Sequence, residues 1–82
     1  MSKFKKALER LKSRPKDFTW SELQNVMSHF GYHEIAGGGS RRKFINMKTK
    51  VSISLHEPHP RPEIKTYALD IVIEHLKDEG LL

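Results

Sequence analysis

His56-Glu57-Pro58-His59-Pro60 is the stretch of this chain best suited to moving protons. Imidazole has an ordinary pKa near ~6.5, so neutral and protonated forms coexist at neutral pH. Two such rings beside a basic surface fit cleavage of RNA without a metal. One histidine would take the proton from a 2′-hydroxyl, the other would protonate the departing 5′-oxygen, and Arg or Lys would stabilise the charge on five-coordinate phosphorus. His56 and His59 are therefore the candidate catalytic pair, against the plainer reading of two exposed loop histidines. A metal site would need a third ligand from Glu57, Glu63 or His33. His-x-x-His in an extended, proline-rich stretch also lacks the helical i, i+4 spacing of zinc enzymes. Neither a metal nor another cofactor is expected.

The second candidate is Gly37-Gly38-Gly39-Ser40-Arg41-Arg42-Lys43. Glycines let backbone amides approach an anion, and a hydroxyl with adjacent cations can complete a phosphate site. Residues 40–50 carry five basic and no acidic side chains. Gly39, Ser40, Arg41, Arg42, Lys43, Lys48 and Lys50 form the candidate RNA-binding set; a glycine turn followed by solvated charge is the competing interpretation. A third basic feature is the N-terminal stretch, in which residues 1–17 hold seven basic and two acidic side chains.

These groups must be held by a small fold. Phe4, Ala7, Leu8 and Leu11 mark one stripe of a short helix, which the Arg14-Pro15 step ends. Thr19-Trp20-Ser21-Glu22 reads as a capping box opening a second helix, closed by Gly31. The period then changes from 3.6 to 2. Strands are predicted over 32–36, 40–47 and 51–56, with the glycine turn and Lys48-Thr49-Lys50 as connections. If Phe44 faces the core, Ser40 and Arg42 share its side while Arg41, Lys43 and Ile45 face outward; the opposite register puts Ile45 and Met47 inward. Pro58, Pro60 and Pro62 form a stiff linker to a last helix over about 65–79. Its apolar residues, Tyr67 and Ile71 among them, cover so much of the circumference that it is expected to be largely buried. His29 and His75 are expected to pack as structural side chains. The fold class is α+β in the order α-α-β-β-β-α, a three-stranded antiparallel meander with helices on one face.

Length and composition narrow the rest. Eighty-two residues with 37% apolar content support one domain over 1–82, with a basic helix and linker over 1–17 and a core over 18–82. A net charge of +5 suggests a polyanionic partner, although the last third is acidic, with three basic against six acidic side chains over 51–82. The absence of cysteine excludes disulfides, zinc ribbons and thiol nucleophiles. No apolar run approaches the ~20 residues of a membrane span, and the first residues do not form a secretion signal. The expectation is a soluble cytoplasmic protein without a membrane partner.

From Thr19 to Leu82 the chain resembles the HicA toxins of bacterial toxin–antitoxin pairs. The likeness lies in Phe30-Gly31-Tyr32, in Gly39-Ser40-Arg41-Arg42-Lys43-Phe44 and in the closing Asp78-Glu79-Gly80-Leu81. His56-Glu57-Pro58-His59-Pro60 followed by Glu63 is similar to the His-x-Pro-His-Pro form of a longer branch, which tends to carry an extra N-terminal helix, here expected over 2–13. The resemblance implies a double-stranded-RNA-binding-like fold, metal-independent cleavage of messenger RNA, and neutralisation by a HicB-type antitoxin. Better-known members have Gly-Ser-His before the second strand, with that histidine catalytic; here the position holds Arg41. Arginine stays protonated and is a poor general base, so it is cast as a phosphate clamp. Either His56 and His59 then carry the proton transfers, the leading expectation, or the chain binds RNA without cutting it. A protein-interaction domain with a basic face is the third possibility.

Overall fold

The computed structural model describes residues 3–82. Helix α1 (Lys3–Lys12) is followed by α2 (Trp20–His29), strands β1 (Tyr32–Ala36), β2 (Arg41–Asn46) and β3 (Ser52–His56), and helix α3 (Thr66–Asp78). The expected order is observed; the expected start of the first helix at residue 2 lies outside the described residues. The strands form one antiparallel sheet in the order β1-β2-β3. Tyr32, Phe44, Ile53 and Leu55 bury one face of the sheet in a core shared with Leu23, Val26, Met27, Leu69, Val72 and Leu76 of α2 and α3. Helix α1 packs on α2 and α3, filling the core with Ala7 and Leu11.

Local chemistry sets the helix ends. Thr19 Oγ1 accepts from the Glu22 amide at 3.3 Å, and Glu22 Oε1 accepts from the Thr19 amide at 3.1 Å, completing the capping box. Glu22 also receives the Arg10 guanidinium of α1, so one carboxylate both caps α2 and ties α1 to it. At the end of α3, Gly80 takes φ +72°; its amide donates to Lys77 and that of Leu81 to Leu76, so the last turn is closed by paired bonds. Leu81 and Leu82 fold back against the core. Arg14, before Pro15, leaves the helix as expected. Its φ is +50°, a left-handed conformation rather than an extended one, and its side chain reaches Asp70 on α3.

The β2–β3 turn depends on a single side chain. Asn46, buried on β2, accepts from the amides of Lys48 at 2.8 Å and Thr49 at 3.2 Å, which shapes the β2–β3 turn. His29 stacks on Phe4 with ring centroids 3.6 Å apart, and His75 Nε2 lies 2.7 Å from the Tyr32 hydroxyl, so both pack structurally. Burial, and then the charge of Glu79, push the Tyr32 phenol above its ordinary range, with Asn46 acting in the opposite sense.

The last helix departs from expectation. It buries a single stripe, Leu69, Val72, Ile73 and Leu76, while Tyr67 is 63% and Ile71 46% exposed. The sheet and α1 cover only one side of α3, so Tyr67 and Ile71 fall outside the core, while Ala68 packs at its margin. Among the described residues, no helix is long and apolar enough to cross a membrane.

Replacing Thr19 by Ala removes the cap acceptor and is expected to cost about 1 kcal/mol, a fall in Tm of about 4–8 °C by calorimetry. An unchanged Tm would show that the cap adds nothing. Burial opposes the charged form of Glu22, but hydrogen bonds from Arg10 and Thr19 outweigh it and hold the pKa below the usual carboxylate value. A lowered folded-state pKa stabilises fully above the unfolded pKa of about 4.3, and that stability is lost as pH falls through the folded value. Urea melts at pH 7 and pH 3 should therefore show a smaller acid loss for Glu22→Gln than for the unsubstituted chain. Equal losses would separate Glu22 from the acid response.

Candidate nucleic-acid interface

Alternation and register decide which side chains meet on the uncovered face of the sheet. Phe44 and Asn46 of β2 point toward the helices, as do Ile53 and Leu55 of β3. Arg41, Lys43 and Ile45 therefore line the open face beside Ser52, Ser54 and His56. Of the two registers left open by the sequence, this is the one with Phe44 inward; Met47 is exposed and Ile45 half-buried.

Arg41 is the direct cross-strand partner of His56. The Glu57 amide donates to the Ser40 carbonyl at 2.8 Å, making residues 40 and 57 a hydrogen-bonded pair. Residues 41 and 56 thus occupy the neighbouring non-hydrogen-bonded position, where Cα atoms come within about 4.5 Å and side chains stand closest. The Arg41 guanidinium has no ion pair among the described residues. Its aliphatic chain lies over the glycine turn: a Cβ on Gly37 would sit 3.2 Å from Arg41 Cγ, tight enough to displace the arginine. Gly39 adopts φ +60° to turn the chain into β2. Ser40, just before the strand, places its Oγ 3.3 Å from His56 Nδ1.

Arg42 points the other way, toward the helices, and is 23% exposed. A charge so placed needs partners, and it has four. Its Nε lies 3.0 Å from Glu57 and 3.8 Å from Glu34, and Nη1 donates to the carbonyls of Gly39 at 3.0 Å and Arg41 at 2.8 Å. Glu34 in turn accepts from the Trp20 indole at 3.2 Å and from Gln24. The network ties the glycine turn, β1, α2 and the residue after His56 into one unit.

Beyond Glu57 the chain runs across the domain rather than hanging free. The Trp20 amide donates to Pro62 at 3.0 Å, the Ile64 amide to Phe18 at 2.7 Å, and Ile64 is buried. These bonds hold His59 in the wall of a cleft of about 500 Å³, which His56 also lines. His59 further borders a neighbouring depression with Gly39, Ser40 and Arg42. The two candidate histidines, the serine and the glycine turn are therefore brought together. Lys43 lies one row along the open face from Arg41, opposite Ser54. Lys48 and Lys50 sit in the turn at the far end of the sheet, about 20 Å from the Arg41 row by strand rise. His33 pairs with Ile45 on the same face, two rows from His56.

Lys16, Arg61, Lys65 and Tyr67 also line the cleft, and sequence reasoning did not single them out. No local signal could have done so. Arg61, Lys65 and Tyr67 lie in one stretch leading into α3, and Lys16 comes from the distant α1–α2 connection, which the bonds of Pro62 and Ile64 to residues 18–20 bring alongside.

The family model for the HicA toxin of bacterial toxin–antitoxin systems matches residues 20–79. That span begins with α2, ends just past α3 and contains the whole sheet, the Arg41–His56 pair and His59, leaving α1 outside. No curated protein and no solved structure matches the chain. With well over half its length matched, including every strand and both helices that cover them, the chain belongs to the HicA family of toxins from bacterial toxin–antitoxin systems.

Proposed function

We propose that the chain is a metal-independent endoribonuclease acting on messenger RNA in the cytoplasm, and that a HicB-type antitoxin neutralises it. One observation carries the reading. His56 stands directly across the ladder from Arg41, the position at which better-known members of the family have their catalytic histidine. An imidazole is thus supplied to the same place on the open face from the neighbouring strand.

The chemistry follows from the parts. Ser40 Oγ lies 3.3 Å from His56 Nδ1; in the tautomer that carries its proton on Nδ1, His56 donates to Ser40 and Nε2 is the acceptor for the 2′-hydroxyl proton. The 2′-oxygen attacks phosphorus, the P–O5′ bond breaks, and His59 as the acid delivers its proton to O5′. The products are a 2′,3′-cyclic phosphate and a free 5′-hydroxyl. Arg41 and Lys43 hold the phosphate oxygens on which charge develops. Gly39 and Ser40 shape the approach, and Arg42 acts as a positioning residue, because its guanidinium is committed to Glu57, Glu34 and the turn carbonyls. Lys48 and Lys50 track the RNA backbone away from the scissile bond. The antitoxin neutralises by covering the open face, where Ile35 is 49% exposed beside Lys43.

Incubating the protein with a long single-stranded RNA in the presence of EDTA tests the reading. Cleavage should persist with EDTA and fall by about 10²–10⁴-fold in His56→Ala, with binding by mobility shift and the melting curve nearly unchanged. Intact RNA in every lane with a clear shift would instead identify a binder that does not cut. The cross-strand placement makes a second prediction. Arg41→His introduced into the His56→Ala protein returns an imidazole to the same row and should restore part of the lost rate. A double variant as inactive as His56→Ala would show that the two positions are not interchangeable.

A further inference from the structure

The cleft shared by His56 and His59 continues past them, between the 57–65 segment and the first turn of α3. Lys16, Arg61 and Lys65 line it, and none of the three makes an ion pair among the described residues. Two carboxylates also face it. Glu57 is taken by Arg42 at 3.0 Å, which leaves Glu63 alone against three cations. In the same wall stands Tyr67, a residue 63% exposed on a helix that buries its main apolar stripe. An exposed aromatic ring beside unpaired cations matches the two halves of a nucleotide, a flat base and an anionic phosphate. An acidic protein segment would satisfy the cations but would have no particular use for the ring.

We infer that this cleft is a nucleotide subsite for single-stranded RNA, in which a base stacks on Tyr67 while Lys16, Arg61 and Lys65 hold the phosphates next to the linkage at His56. The inference rests on the nuclease reading and assigns that site its substrate form, an unpaired strand. A base held in a duplex cannot reach the ring.

The test uses a short 2′-O-methyl oligoribonucleotide carrying 2-aminopurine, which cannot be cut because it lacks the attacking hydroxyl. Anisotropy reports affinity and quenching of 2-aminopurine reports stacking. Tyr67→Ala should weaken binding about tenfold and remove the quenching. Tyr67→Phe should keep both, and a duplex of the same sequence should show no quenching. The combined Lys16→Ala, Arg61→Ala and Lys65→Ala variant should flatten the slope of log affinity against log salt by about 2. Wild-type affinity and quenching in Tyr67→Ala, with long RNA still cut, would overturn the subsite and leave the nuclease reading intact. Failure of the unsubstituted protein either to bind the oligonucleotide or to cut long RNA would overturn both. Loss of binding to a HicB-type antitoxin in Tyr67→Ala, with RNA affinity unchanged, would make the cleft a protein contact and end the inference.

Discussion

Arg42 is the residue around which the site is arranged. Strand alternation sends its side chain to the covered side of the sheet, where an uncompensated guanidinium would be costly. The fold answers with carboxylates from two directions, Glu34 on β1 and Glu57 just after β3, and with two carbonyls from the glycine turn. Every one of these partners belongs to a segment that carries or borders a functional candidate. The inward charge thus fixes the turn below Arg41 and the start of the His56–Pro60 stretch relative to each other. Its worth is more in geometry than in stability, since a partly exposed ion-pair network contributes modestly.

On the opposite side of the same strands the requirement is reversed. Arg41 and Lys43 have no carboxylate facing them across the ladder; their cross-strand neighbours are His56, Ser54 and Ile35. One sheet therefore separates satisfied charge from unsatisfied charge by the alternation of a single strand. The inner guanidinium and its carboxylates build the turn, while the outer cations stay without an ion pair among the described residues. For a member of a toxin family this accounts for how so short a chain can keep a stable core and still present a concentrated positive field.

Much of the fold was legible because its signals are local. The capping box at Thr19 and Glu22, the alternation through Val51–His56 and the closing Gly80 each lie within a few residues, and all three act as their chemistry predicts. The exposure of Tyr67 and Ile71 was not legible. Counting apolar residues around α3 says how much could be buried, but only the extent of the sheet and of α1 says how much is. The site divided in the same way. Arg41, His56 and His59 were visible as residue types, and their register followed once Phe44 was placed inward. The partners of Arg42 and the far wall of the cleft were not visible, because residue 16 meets residues 61–67 only through backbone bonds between the 18–20 and 62–64 segments.

The three consecutive glycines look like one feature and are three unequal ones. Gly39 is constrained by its backbone angle, and Gly37 by the arginine chain lying across it; a side chain at Gly38 would meet open space. Drift in related sequences should therefore be uneven along the run. The middle position is free to take on polar side chains that would extend the rim of the open face. Gly37 can change only together with the direction in which the Arg41 guanidinium points, and Gly39 only for a residue that tolerates a positive φ.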